Sequence, residues 1–240
     1  MIALIDADII LYRVAWAKKD ETEEEVVENY LDEYFTTLQS STGCSQYIGY
    51  LTGRNNFRYE LAVSLPYKGN RVKKEKPVWK DFLRNVLINK YHCIVVDGME
   101  ADDALSITQR VFMKDNIPCF IASTDKDLLQ IQGEHFNFVK QLWTSVSDLD
   151  ATKNLWTQVL TGDLGTDNIP GLPGIGTVKA GKIIESVKYP HEEYRTAVLN
   201  EYVRCYGEYE GIQKFTENFM LIKLLETRED FLIPAVCNFK

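Results

Sequence analysis

Residues 92–131, HCIVVDGMEADDALSITQRVFMKDNIPCFIASTDKDLLQI, carry the pattern that decides the fold. Two short apolar runs, HCIVVD and IPCFIAS, flank a stretch with helical spacing, EADDALSITQRVFMKD, and DKDLLQI adds a short helix. A strand, a helix and a second strand at this spacing predict a parallel sheet. The pattern extends outward. IALID at the N-terminus is a further buried strand ending at Asp6, followed by helical spacing over 9–17 and roughly 22–39. SQYIGYL and NFRYELAV read as strands, Pro77 opens a helix running to about Asn89, HFNFVKQLW alternates as a hairpin, and DLDATKNLWTQVLTG is a helix. The fold class is therefore α/β, a mostly parallel central sheet flanked by helices.

In such sheets ligands gather outside the carboxyl ends of the strands. Nine carboxylates cluster where this chain passes from a strand or loop into a helix: Asp6, Asp8, Glu100, Asp102, Asp103, Asp125, Asp127, Asp163 and Asp167. Any one of them could be a helix N-cap. Three of the clusters, however, fall on the same sheet edge by topology alone. Like charges gathered that closely call for a positive partner, and hard divalent cations with oxygen ligands are the natural one. That combination predicts metal-dependent hydrolysis of a phosphate ester.

Two basic segments complement the acidic edge. YKGNRVKKEKPVWK, residues 67–80, holds six basic side chains and one acidic one. Lys68 and Arg71 are candidates to neutralise a scissile phosphate, and Lys73, Lys74 and Lys76 to follow a nucleic-acid backbone. Farther on, GDLGTDNIPGLPGIGTVKAGKII packs six glycines and two prolines into 23 residues. A Gly-rich hairpin between helices presents backbone N–H groups to a phosphate, with Gly174 and Gly176 allowing close approach and Lys179 and Lys182 adding charge. The change of texture places a boundary near 160: a catalytic domain over 1–160 and a helical subdomain over 161–240, whose tail from about 190 reads as two amphipathic helices.

Composition narrows the classes. No apolar run approaches the roughly 20 residues that a membrane span needs, and Met1–Ile5 is too short for a secretory signal. Five cysteines without a CxxC pair predict reduced thiols, and the scattered His92, His135 and His191 argue against a histidine-based metal site. A cytoplasmic monomer is the expectation, in the host cell if the chain is phage-encoded. The formal charge of −8 looks wrong for a nucleic-acid partner. With the nine clustered carboxylates set aside, though, the rest of the chain is close to neutral. The acidic block Asp20–Glu33 reads as a solvated helix face.

In order along the chain, IDAD, YKGNR, EADD, STDKD and GD…DNIPGLPGIG resemble the motifs of the structure-specific 5′-nuclease family, the flap endonucleases and 5′→3′ exonucleases, above all those encoded by phages. The resemblance runs from residue 2 to about 185. It implies a PIN-like nuclease domain with a helix–hairpin–helix module, acting on DNA with 5′ ends, nicks or flaps in replication or repair. By position it implies Asp6, Glu100 and Asp102 as ligands of a first Mg²⁺ or Mn²⁺ and Asp125, Asp127 and Asp163 as ligands of a second. Asp103 and Asp167 would take outer or bridging roles. Lys68 matches the family's catalytic lysine, Arg71 a phosphate contact, and the loop Leu172–Ile175 a potassium site.

Two departures stand out. The family closes its second strand with an aspartate, whereas YLTGRNNFR leaves no carboxylate between Glu33 and Glu60; the first metal would lack a ligand or draw on Asp8 or water. Asp163 and Asp167 are four residues apart where the family has three. The segment from Tyr67 to the next helix is short for a full helical arch, which favours exonuclease over flap cleavage. A PIN-type ribonuclease, or a DNA-structure-binding protein with a weakened metal site, are the rival readings.

Overall fold

Buried apolar runs with β-branched residues pair in register when both faces of the sheet are to be covered. The computed structural model of the chain, which describes residues 1–71, 75–188 and 190–228, shows that outcome. Strands β1 (Ile2–Asp6), β2 (Gln46–Thr52), β3 (Ile94–Val96), β4 (Cys119–Ala122), β5 (Gly133–Asn137) and β6 (Leu142–Val146) form one sheet in the order β3-β2-β1-β4-β5-β6. The first four junctions are parallel; only β6 runs antiparallel, as the partner of β5 in the expected hairpin. Register aligns Asp6 with Tyr50 and Ile5 with Ala122. The ends of β1, β2, β3 and β4 therefore reach one edge together.

By packing, the chain divides into two compact units. The first comprises Met1–Asn56, Glu75–Val146 and the described residues from Leu225 on. Besides the sheet it contains α1 (Ala7–Ala17), α2 (Glu24–Thr42), α4 (Lys80–Asn89) and α5 (Ala101–Lys114). Ala3 and Ile5, two apart on β1, share a core with Ile10, Leu11 and Val14 of α1, Val27, Leu31 and Phe35 of α2, and Leu83 and Leu87 of α4. The acidic block predicted as a solvated face enters α2 at Glu24, and there Lys90 Nζ reaches Glu28 at 2.6 Å and Asp32 at 2.8 Å.

The second unit comprises Phe57–Lys74 and Ser147–Leu224. It holds α3 (Arg58–Leu61), α6 (Asp148–Thr161), the ribbon of β7 (Gly162–Asp163) with β8 (Ile169–Pro170), and α7 (Thr177–Glu185), α8 (Pro190–Tyr206) and α9 (Glu208–Ile222). Helix α6, most of which lies before residue 160, packs in this unit against α7, α8 and α9. Trp156, Val159 and Leu160 meet Ile184, Val198, Tyr202 and Phe215 in its core. Tyr202 donates its hydroxyl to Val159 O at 2.5 Å and accepts from Asn218 Nδ2 at 2.7 Å.

One expected element is corrected. NFRYELAV is not a strand: Arg58–Leu61 is a short helix, α3. The Arg58 side chain, 1% exposed, donates from Nε to Leu221 O at 2.8 Å and from Nη2 to Lys223 O at 3.0 Å. It caps carbonyls at the end of α9 that the helix itself leaves without partners. A strand register would not deliver the guanidinium there.

Candidate active site

The acidic edge of the first unit is built by the ends of four elements. Asp6 ends β1 and caps α1, its Oδ1 accepting from the Ile9 N–H at 3.1 Å. Its Oδ2 accepts from the Ser123 hydroxyl at 2.8 Å, just beyond β4. Ser123 Oγ in turn accepts from the Asp125 N–H at 3.0 Å, and Asp125 Oδ1 from the Asp127 N–H at 2.9 Å. Only 2% of Asp6 is exposed. Burial first, then the charge of Asp8, push its carboxyl up to about 7, with Asp125 adding to the rise; the bonds from Ser123 and Ile9 oppose it. A buried carboxyl raised this far by burial and by its neighbours' charge is short of positive charge.

Across the edge, Asp103 is fully buried and holds the start of α5. Its Oδ2 accepts from the Glu100 N–H at 3.0 Å and its Oδ1 from the Leu225 N–H at 3.0 Å. It fixes the backbone that carries Glu100 at the start of α5.

Thr52 and Ser123 are site residues that the sequence reading missed. Thr52 donates its N–H to Asp8 Oδ2 at 2.9 Å, its Oγ1 accepts from the Ala101 N–H at 3.0 Å, and its carbonyl accepts from Arg84 Nη2 at 3.0 Å. One residue at the end of β2 thus fastens α1, α4 and α5 around the edge. The position next to it is closed to a larger side chain. A Cβ on Gly53 would lie 2.1 Å from Asp97 Oδ1, which accepts from the Arg54 N–H at 2.7 Å. A carboxylate from just beyond β3 thus lies against the end of β2.

Among the described residues, no three His, Cys, Asp or Glu side chains converge into a ready metal cage. The fit to a divalent cation is one of charge and donor chemistry. Hard oxygen donors, with Asp8 and Asp125 both within electrostatic reach of a buried Asp6 whose charge needs a partner, are what Mg²⁺ or Mn²⁺ coordination uses.

In the second unit, Lys68, Arg71, Asp163 and Asp167 come together. Lys68 has φ +54 and donates its N–H to Asp167 O at 2.9 Å, while its Nζ lies 3.7 Å from Asp167 Oδ1. Arg71 Nη2 donates to that Oδ1 at 2.7 Å, and the Tyr67 hydroxyl donates to Oδ2 at 2.9 Å. Asp163 Oδ1 accepts from the Thr166 N–H at 3.0 Å. The Gly-rich segment runs from the β7–β8 ribbon through a turn into α7. Gly174 takes φ +71, Gly176 caps α7, and Lys179 Nζ donates to Gly174 O at 2.8 Å. A cavity of about 480 Å³ beside it is lined by Leu172, Ile175, Lys179 and Lys182, and by Arg204 of α8, which sequence reading did not single out. Lys76 is exposed; Lys73 and Lys74 lie outside the described residues.

These features define an α/β fold with an acidic edge on a mostly parallel sheet, and comparison with known proteins places it further. Residues 1–158 match the family model described as the 5′-3′ exonuclease, N-terminal resolvase-like domain, and the chain belongs to that family. It is 31% identical to DNA polymerase I of Borreliella burgdorferi over 157 residues, 60% of this chain and 17% of that protein. Against DNA polymerase I of Pseudomonas aeruginosa it is 32% identical over 149 residues, 55% of this chain and 15% of that protein. The chain thus spans less than a fifth of either polymerase. Its fold follows that of the bacteriophage T5 flap endonuclease in complex with DNA and metal ions. There the TM-score is 0.71 at 17% identity, covering 99% of this chain and 94% of that one. The T5 5′-exonuclease with bound zinc gives 0.71 at 18% identity, covering 93% and 89%.

Proposed function

We propose that this chain is a divalent-metal-dependent 5′→3′ exonuclease that hydrolyses DNA phosphodiester bonds from 5′ ends, working as a cytoplasmic monomer. The observation that carries the reading is Asp6: a buried carboxylate at a parallel-sheet edge, pushed to about 7 by its burial and by the charges of Asp8 and Asp125. Asp6, Glu100 and Asp102 would hold one Mg²⁺ or Mn²⁺, and Asp125 and Asp127 another, with Asp163 joining the second set as the family resemblance implies. Such a pair of cations supplies hydroxide at neutral pH and screens the charge of the reacting phosphate.

The chain's own residues do the rest. Ser123 and the Ile9 N–H aim the Asp6 oxygens, and Asp103 and Thr52 fix the turn that carries Glu100. Lys68 and Arg71 supply cations for the negative charge that grows on the phosphate. Lys179, Lys182 and the Gly174–Gly176 backbone would hold duplex phosphates, and the carbonyls of Leu172–Ile175 a K⁺ ion. Among the described residues, no helix is long and apolar enough to cross a membrane.

The test uses 5′- and 3′-labelled duplex, nicked, flap and RNA/DNA hybrid substrates with Mg²⁺, Mn²⁺ or EDTA. Short 5′-labelled products from DNA alone, abolished by EDTA and by Asp125→Asn, support the reading. Products from RNA only would select the ribonuclease, and tight binding without turnover in either metal the binding protein.

A further inference from the structure

Asp167 sits among donors of the basic segment. Oδ1 accepts from Arg71 Nη2 at 2.7 Å and lies 3.7 Å from Lys68 Nζ; Oδ2 accepts from the Tyr67 hydroxyl at 2.9 Å. The backbone repeats the link, since Asp167 O accepts from the Lys68 N–H at 2.9 Å and Thr166 O from Arg71 Nε at 3.0 Å. Asn70 Nδ2 donates to Leu164 O and Gly165 O, and Asn168 Nδ2 donates back to Pro66 O at 2.9 Å. Two loops, 66–71 and 163–168, are therefore laced together with Asp167 at the centre. The Asp167 N–H closes on Asp163 O at 3.1 Å, so the backbone ties the two residues into one turn.

The geometry points to Asp167 as a positioning residue that holds Lys68 and Arg71 for the phosphate, and not as a metal ligand. Lys68 sits at a left-handed φ of +54, a conformation a lysine keeps only when its surroundings impose it. Tyr67, whose ring lies 5.0 Å from Lys68 Nζ, and Asp167 together impose it. A carboxylate that already neutralises an arginine has little charge left for a cation. Its loss would act instead through a freed lysine and arginine.

This inference rests on the nuclease reading for its kinetic arm only. In Asp167→Asn, Mn²⁺ affinity by calorimetry is expected to stay within about twofold of the parent, while Asp125→Asn weakens it at least about tenfold. With Mg²⁺ and labelled duplex, kcat of Asp167→Asn should fall about 100-fold, the scale of a misplaced catalytic group. Added to the pair Lys68→Ala and Arg71→Ala, it should slow the reaction no further than that pair alone, because the cations it positions are already gone. Loss of Mn²⁺ affinity equal to that of Asp125→Asn, or a further multiplying loss in the triple variant, would overturn the proposal. The Arg71 Nε–H resonance gives a readout independent of turnover. It should shift and broaden in Asp167→Asn, and an unchanged signal would also overturn it. If the unaltered protein cuts nothing, the nuclease reading fails, and the calorimetry and the resonance still decide the role of Asp167. Should Asp167→Asn fold poorly, Arg71→Ala tests the same pair from its other side. It should leave Mn²⁺ affinity unchanged, and a tenfold loss would count against the proposal.

Discussion

At the scale of single residues, one carboxyl concentrates the conflict between stability and chemistry. Asp6 is buried, sits beside Asp8 and Asp125, and is pushed up to about 7 from an ordinary value near 3.8. A raised carboxyl stabilises the fold below its unfolded value, and that contribution is lost as the pH climbs through the folded value. Between about pH 4 and 7 the metal-free protein should therefore lose stability from this group, reaching its full penalty above 7. Asp6→Asn removes the charge while keeping an oxygen for the Ile9 N–H. In EDTA at pH 8 it is expected to melt several degrees above the parent, with the difference vanishing near pH 4, although cleavage is abolished. Thermal melts of both proteins across that range check the sign. A variant that melts lower at pH 8 would show that Asp6 is held ionised by donors strong enough to offset its burial.

At the scale of elements, the parallel strands and the acidic residues at their ends were legible because they rest on local patterns: an apolar run, its length, and the charge that stops it. What escaped was the part made by backbone atoms. Thr52 looked like a gap where a carboxylate belonged, yet its amide, hydroxyl and carbonyl join α1, α4 and α5. NFRYELAV alternates well enough for a strand. Its decisive partners, the carbonyls of Leu221 and Lys223, lie more than 160 residues away, where no periodicity can reveal them. The ribbon β7–β8, which sets Asp163 and Asp167, depends on glycine at the crossing. A Cβ on Gly171 would stand 2.0 Å from Thr161 O, whereas one on Gly165 meets nothing within 4 Å. Gly171→Ala should cost about 3 kcal/mol or more, since backbone must move. Gly165→Ala should stay within about 0.5 kcal/mol. Urea unfolding separates the two, and equal effects would show that the ribbon yields more readily than its spacing implies.

At the scale of the whole molecule, the charge is a matter of distribution. A net −8 repels a polyanion on average, and nine of the acidic side chains are those assigned to the reacting edge or its supports. Duplex affinity must come from a few cations, and each phosphate neutralised releases a counterion, steepening the log–log salt dependence by about 0.9. Lys179 and Lys182 line the cavity beside the Gly174 hairpin, so they should carry two of those contacts. Replacing both by alanine is expected to reduce the salt slope of duplex binding, measured with Ca²⁺ in place of Mg²⁺, by about two. Single-turnover cleavage at saturating enzyme should barely change, because neither lysine acts at the reacting edge. Lys76→Ala, a single exposed cation of the first unit, should lower the slope by about one at most. A double variant with an unchanged slope would move the duplex contacts off the hairpin. One that binds normally but cleaves slowly would show that these lysines govern how the substrate is presented and not how tightly it is held.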